Sequence, residues 1–125
     1  MYDLTIIAEF EAAHRLPDYP GKCCRLHGHN WKVEVTVTGH KLNHLGMVMD
    51  FKELKAEVSK VIETLDHYYL NDIPAFKMTN PTAENIAKYI YDTLANNPVF
   101  QQDIKVRCVQ VWESPRSAVK YCPQG

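Results

Sequence analysis

His14, Cys23, His27 and His29 lie close together in the chain, and their types suit metal-assisted proton transfer. In His27-Gly28-His29, side chains of period two put both imidazoles on one face if the segment is a strand. Gly28 leaves the opposite face open. His14 completes a set of three if its own strand pairs with this one. Three neutral imidazoles make a catalytic type of zinc site, with a fourth position left for water or substrate. Iron or copper would also accept three histidines. A lone inward histidine reads as a core residue with a hydrogen-bond partner. Three on neighbouring strands would each need such a partner, and that favours a metal. Cys23 sits on the loop leading into His27, flanked by Lys22 and Arg25, the electropositive neighbourhood that reactive thiols share. A structural metal site would instead recruit Cys23 or Cys24 as its fourth ligand.

The elements that position these groups follow from hydrophobic period. Leu4, Ile6, Ala8, Phe10 and Ala12 alternate with Thr5, Glu9 and Glu11, as in a half-buried strand, and His14 falls in phase with the apolar side. Pro17, Pro20 and Gly21 mark a loop. A second strand carries His27, His29, Trp31, Val33, Val35 and Val37 on one face. Asp50 and Glu53 resemble a capping box, opening a helix with Phe51, Leu54, Val58, Val61, Ile62 and Leu65 at helical spacing. That helix is expected to end near Asp66-His67. Asn80-Pro81 reads as a cap followed by proline at the first helical position. The second helix then bears Ala83, Ile86, Ile90 and Leu94 and stops before Pro98. Two strands, Ile104 to Glu113 and Ser117 to Cys122, turn at Ser114-Pro115-Arg116. The order β-β-α-α-β-β predicts an α+β fold, a four-stranded antiparallel sheet with two helices on one face, in a single domain over 1–125.

The 125 residues are 46% hydrophobic and 23% charged with a formal charge of -1, values that fit a globular domain and give no basic stripe for nucleic acid or an anionic membrane. No stretch is long and apolar enough to span a bilayer, and the N-terminus lacks signal-peptide layout. A cytoplasmic protein is the expectation. There the four cysteines read as free thiols, with Cys108 and Cys122 as strand residues without chemistry. Asp66-His67 at a helix C-terminus reads equally as a proton relay, the carboxylate fixing the imidazole tautomer, or as a plain helix-end pair. Glu113, at the end of an apolar strand, reads by itself as a solvated carboxylate. His40 and His44 read as surface residues.

The segments EAAHRLP, CxRLHGHN, GMVMDFKELK, LDHYYLND, NPTAENIA and VWESP run in order along nearly the whole chain. Together they resemble the 6-pyruvoyltetrahydropterin synthase superfamily. The three residues between Cys23 and His27, and the LDHYYLND segment, are similar to its bacterial 6-carboxy-5,6,7,8-tetrahydropterin synthase branch. Cys24 stands where the family pattern has a small residue. The resemblance implies a T-fold, assembled as a homotrimer or dimer of trimers with active sites between subunits. It implies a zinc-dependent lyase that converts 7,8-dihydroneopterin triphosphate to 6-carboxytetrahydropterin, releasing acetaldehyde and triphosphate, in queuosine and 7-deazapurine biosynthesis. The 6-pyruvoyl activity, and a non-catalytic zinc-stabilised pterin-binding protein, are the alternatives. By matching motif, the resemblance implies zinc on His14, His27 and His29 and proton transfer by Cys23. Asp66 and His67 would form a relay, and Glu113 would anchor the pterin and belong to that relay. On their own chemistry, and not from the motifs, Thr82 reads either as a second group at the pterin edge or only as the cap of the second helix, and Lys22, Arg25 and Arg116 are the candidate cations for the triphosphate.

Overall fold

The computed structural model describes residues 1–123. Four strands form one antiparallel sheet in the order β1-β2-β3-β4: β1 Tyr2–His14, β2 His27–Gly39, β3 Ile104–Ser114 and β4 Ser117–Tyr121. Between β2 and β3 come α1 (Phe51–Ile62) and α2 (Ala83–Ala95). This is the expected four-stranded sheet with two helices. The alternating apolar residues build the core. Ile6, Phe10, Trp31, Val33, Val35, Val37, Val109 and Val111 face Leu54, Val58, Ile86, Ile90 and Leu94 of the helices. The other face of the sheet is polar, carrying the Thr5–Thr36 hydroxyl pair, the Arg107–Asp3 ion pair and Trp112 Nε1 donating to Glu34.

β1 and β2 pair over their whole length, from Tyr2 opposite Gly39 to His14 opposite His27. This register brings the histidines together, because the apolar alternation of each strand continues into its imidazole-bearing end. Asp50 caps α1, its carboxylate accepting from Lys52 N–H at 2.8 Å; a cap of this kind is worth about 1 kcal/mol. The helix ends at Ile62, earlier than its periodicity suggested. Leu65 stays buried in the following turns, so the apolar repeat outlasts the helix.

Two expectations are corrected. The second helix does not begin with Pro81 at its first position, since Thr82 is the cap, its hydroxyl accepting from Asn85 N–H. The Pro81 carbonyl is turned to His14 instead. Cys108 and Cys122 are not free thiols but form a disulfide. The β3–β4 register, with Val109 opposite Tyr121, sets residues 108 and 122 face to face with Cα atoms 4.5 Å apart, within disulfide reach. Cys23 and Cys24 remain free.

A candidate metal centre and the clefts beside it

His14 comes from the end of β1, and His27 and His29 come from the start of β2. Their ring centroids lie 4.5 Å (His14–His27), 5.1 Å (His14–His29) and 4.9 Å (His27–His29) apart. One nitrogen from each falls within 4.8 Å of the others, close enough for small side-chain rotations to place all three on one ion. Trp31 forms the floor, meeting His14 and His29 edge to face, and its indole N–H donates to the Ala12 carbonyl. His14 is 1% exposed, so its polar atoms must be satisfied from within.

Backbone carbonyls set the tautomers. Pro81 O accepts from His14 Nδ1 at 2.7 Å, and Arg25 O accepts from His27 Nδ1 at 2.7 Å. A carbonyl only accepts, so each Nδ1 carries the proton and each Nε2 keeps its lone pair. Nε2 of His14 and Nε2 of His29 are buried with no hydrogen-bond partner among the described residues. Two orphaned imidazole nitrogens beside a third histidine fit a divalent cation, which would supply the missing partner. Burial, above all, holds the His14 imidazole below its ordinary value of 6.5, and the neighbouring His27 and His29 push the same way; the Pro81 carbonyl and Glu113 oppose it. Burial likewise lowers His29, with His27 assisting and Glu113 opposing. Neutral rings are what a metal requires.

Those two lowered values give the metal-free protein a pH dependence. Above 6.5 the rings are neutral in both folded and unfolded chains. Below it the unfolded chain takes up protons that the folded protein does not yet bind, so stability falls. The denaturant midpoint of the metal-free protein is therefore expected to drop between pH 7.5 and pH 5. A metal on these rings would hold them deprotonated and deepen that fall.

Glu113 is the extra residue of a β-bulge, since Trp112 pairs with Ala118 and Ser114 with Ser117. Bulges re-aim side chains, and Glu113 Oε2 comes to 4.0 Å from His14 Nε2. With Thr82, Ala83, Glu84 and Ser117 it lines a recess of about 240 Å³ between the start of α2 and the β3–β4 hairpin. A separate open cleft of about 730 Å³ is lined by His29, Gly28, Leu26, Glu11, His67 and Tyr68. Gly28 is exposed there, and its nearest outside atom, the Ala12 carbonyl oxygen, is 4.0 Å from where a Cβ would stand.

Asp66 and His67 contact each other, Nδ1 to Oδ1 at 3.0 Å. The backbone N–H of Glu11, first, and then His67 hold the Asp66 carboxyl below the usual carboxylate range. The chain from 66 to 71 is laced along the end of β1. Glu11 N–H donates to Asp66 Oδ1, Ala13 bridges Tyr69, and Arg15 exchanges two hydrogen bonds with the Asn71 amide. Cys23 lies half-buried in the turn Lys22–Cys24, its carbonyl accepting from Leu16 N–H at 2.8 Å. Lys22, Arg25 and Arg116 are exposed, as are His40 and His44. Sequence reasoning did not single out Glu11, or the Pro81 and Arg25 carbonyls. Glu11 reads as one more solvated strand residue, and backbone partners leave no signature in side-chain type.

A T-fold sheet with three imidazoles converging at its rim defines a class of protein with a candidate metal centre. Residues 3–124 match the family 6-pyruvoyl tetrahydropterin synthase, and the chain belongs to that family. It is 42% identical over 117 residues to the 6-carboxy-5,6,7,8-tetrahydropterin synthase of Synechocystis, covering 90% of this chain and 86% of that one. It is 38% identical over 113 residues to the dihydroneopterin monophosphate aldolase of Pyrococcus furiosus, covering 90% of each. The structure of Caenorhabditis elegans 6-pyruvoyl tetrahydropterin synthase superposes with a TM-score of 0.84 at 31% identity, covering 97% of this chain and 94% of that one. Among the described residues no helix is long and apolar enough to cross a membrane.

Proposed function

We propose that this protein is a zinc-dependent 6-carboxy-5,6,7,8-tetrahydropterin synthase of the queuosine pathway. In this reading it converts 7,8-dihydroneopterin triphosphate and water to 6-carboxytetrahydropterin, acetaldehyde and triphosphate. The observation that carries the reading is the convergence of His14, His27 and His29 with two buried Nε2 atoms that have no partner among the described residues, in a chain 42% identical to a protein of that name. The cytoplasm and a trimer or dimer of trimers complete the proposal.

His14, His27 and His29 would hold the zinc, which when bound supplies a Lewis acid beside the substrate's side-chain oxygens. Cys23 takes and returns the proton on the carbon side. Asp66 orients His67 for proton exchange with the substrate hydroxyl, and the Glu11 N–H and His67, which hold the Asp66 carboxyl below the usual carboxylate range, favour its charged form. Glu113 accepts two hydrogen bonds from the pterin's amino group and ring N–H, a bidentate and selective pairing. The Thr82 oxygen already accepts from Asn85 N–H, so its O–H is the group left to meet a ring acceptor. Lys22 and Arg25, exposed at the loop, are assigned to the triphosphate.

Incubating purified protein with 7,8-dihydroneopterin triphosphate and analysing products by mass, beside metal analysis, tests the reading. A carboxylated tetrahydropterin, acetaldehyde and one zinc per chain are expected. A diketo side chain would assign the 6-pyruvoyl activity instead. A two-carbon hydroxyaldehyde would mark an aldolase, the activity named for the Pyrococcus furiosus relative. Glu113→Ala is expected to raise KM about tenfold, the loss of roughly one hydrogen-bonded charged contact, with metal content unchanged. An unaltered KM would remove Glu113 from the pterin edge.

A further inference from the structure

Both ring nitrogens of His67 face a carboxylate. Nδ1 is 3.0 Å from Asp66 Oδ1, and on the opposite edge Nε2 is 3.4 Å from Glu11 Oε2. Glu11 also grips this dipeptide through its backbone. Its N–H donates to Asp66 Oδ1 at 2.9 Å, and its carbonyl accepts from His67 N–H at 2.6 Å. His67 has φ 63, a left-handed conformation that a non-glycine residue adopts only where its surroundings hold it. Glu11 is the residue of β1 that meets it there, on the same strand as His14, and Glu11, His67 and His29 line one cleft.

His67 is 72% exposed, so packing does not fix its ring. Asp66 alone would leave the imidazole free to swing about a single contact. A second carboxylate on the far edge defines the ring plane and its distance from β1. Resting on the relay role of Asp66 and His67 given above, we infer that Glu11 is a positioning residue for that pair. Its backbone sets the dipeptide against β1, and its carboxylate orients the His67 ring toward the cleft that His29 shares. With Nδ1 committed to Asp66, the proton is exchanged at Nε2, and Glu11 Oε2 at 3.4 Å aligns that nitrogen without closing a tight hydrogen bond on it, leaving it to the substrate as a general acid or base requires.

Glu11→Gln tests this, because it keeps both backbone bonds and the side chain's size while replacing the carboxylate. An ion pair this exposed contributes little to stability, so the variant is expected to fold and melt like the parent. Its kcat should fall about tenfold, a fraction of the ~10²–10⁴ that a positioned acid or base supplies, with KM and metal content unchanged. The ring ¹⁵N resonances of His67 should move, and Glu11→Asp, which retains the charge, should recover part of the lost kcat. Parent-like turnover of Glu11→Gln, or unmoved His67 resonances, overturns the inference. His67→Ala, measured alongside, separates the two ideas. If it is inactive while Glu11→Gln is normal, only the role of Glu11 falls. If His67→Ala itself turns over normally, the relay reading falls and the role of Glu11 with it.

Discussion

Cys23→Ala is expected to keep its metal and lose about a thousandfold in turnover, within the ~10²–10⁴ attributed to a positioned acid or base and extended by loss of the reactive thiol. The retention half of this result follows from the cluster's composition. Among the described residues the group that can converge on one ion consists of His14, His27 and His29, and no sulfur belongs to it. Among the described residues neither Cys23 nor Cys24 joins that group, as an open centre with room for substrate would require. The turnover half follows from place. Cys23 is tied by its carbonyl to Leu16 N–H, and the carbonyl of Arg25, two residues on, holds His27 Nδ1. The thiol is thus carried on the same short turn that orients a candidate ligand. Cys24→Ala is expected to behave like the parent protein, because the proposed function gives the chemistry to Cys23. Inductively coupled plasma analysis and single-turnover kinetics on the two variants check both halves. Should Cys23→Ala release zinc and unfold, the centre is structural and the enzymatic reading fails.

Much of this was legible in the residues, and the parts that were not share a physical cause. Alternation of period two in both long strands put His14, His27 and His29 on the inner face before any pairing was known. The register, with His14 opposite His27, then brought them together. Helical spacing located α1 and α2, and Asp50 announced its cap. What stayed hidden depends on contacts between residues far apart in sequence. Asn80-Pro81 carries a good local signal for a helix start, yet the Pro81 carbonyl serves a histidine 67 positions away, and Thr82 caps instead. Cys108 and Cys122 become partners only through the β3–β4 register. Glu113 points at the cluster because it is the unpaired residue of a bulge. Glu11 sits on the outward side of its strand, where a carboxylate attracts no notice until residues 66 and 67 fold back onto it. Local pattern specifies elements; the chemistry of this site is finished by tertiary contacts.

His14→Ala and His29→Ala are both expected to abolish tight metal binding and turnover, yet to part company in the stability of the metal-free protein. His14 is buried and its Nδ1 is the hydrogen-bond partner of the Pro81 carbonyl at the entrance to α2. Alanine there leaves that carbonyl unsatisfied and opens a void between β1 and the helix start. Loss of the bond alone is worth about 1–3 kcal/mol. His29 is different, because among the described residues its buried Nε2 has no partner to lose. Deleting an unsatisfied polar atom removes a penalty, so metal-free His29→Ala is expected to be as stable as the metal-free parent, or slightly more so. Adding zinc should stabilise the parent in proportion to its affinity, through mass action on the folded state, and leave both variants where they were. Urea denaturation with and without zinc measures all of these differences. Equal destabilisation of the two metal-free variants would mean that His29 is satisfied within the protein itself, and the case for an ion among the three imidazoles would lose its strongest support.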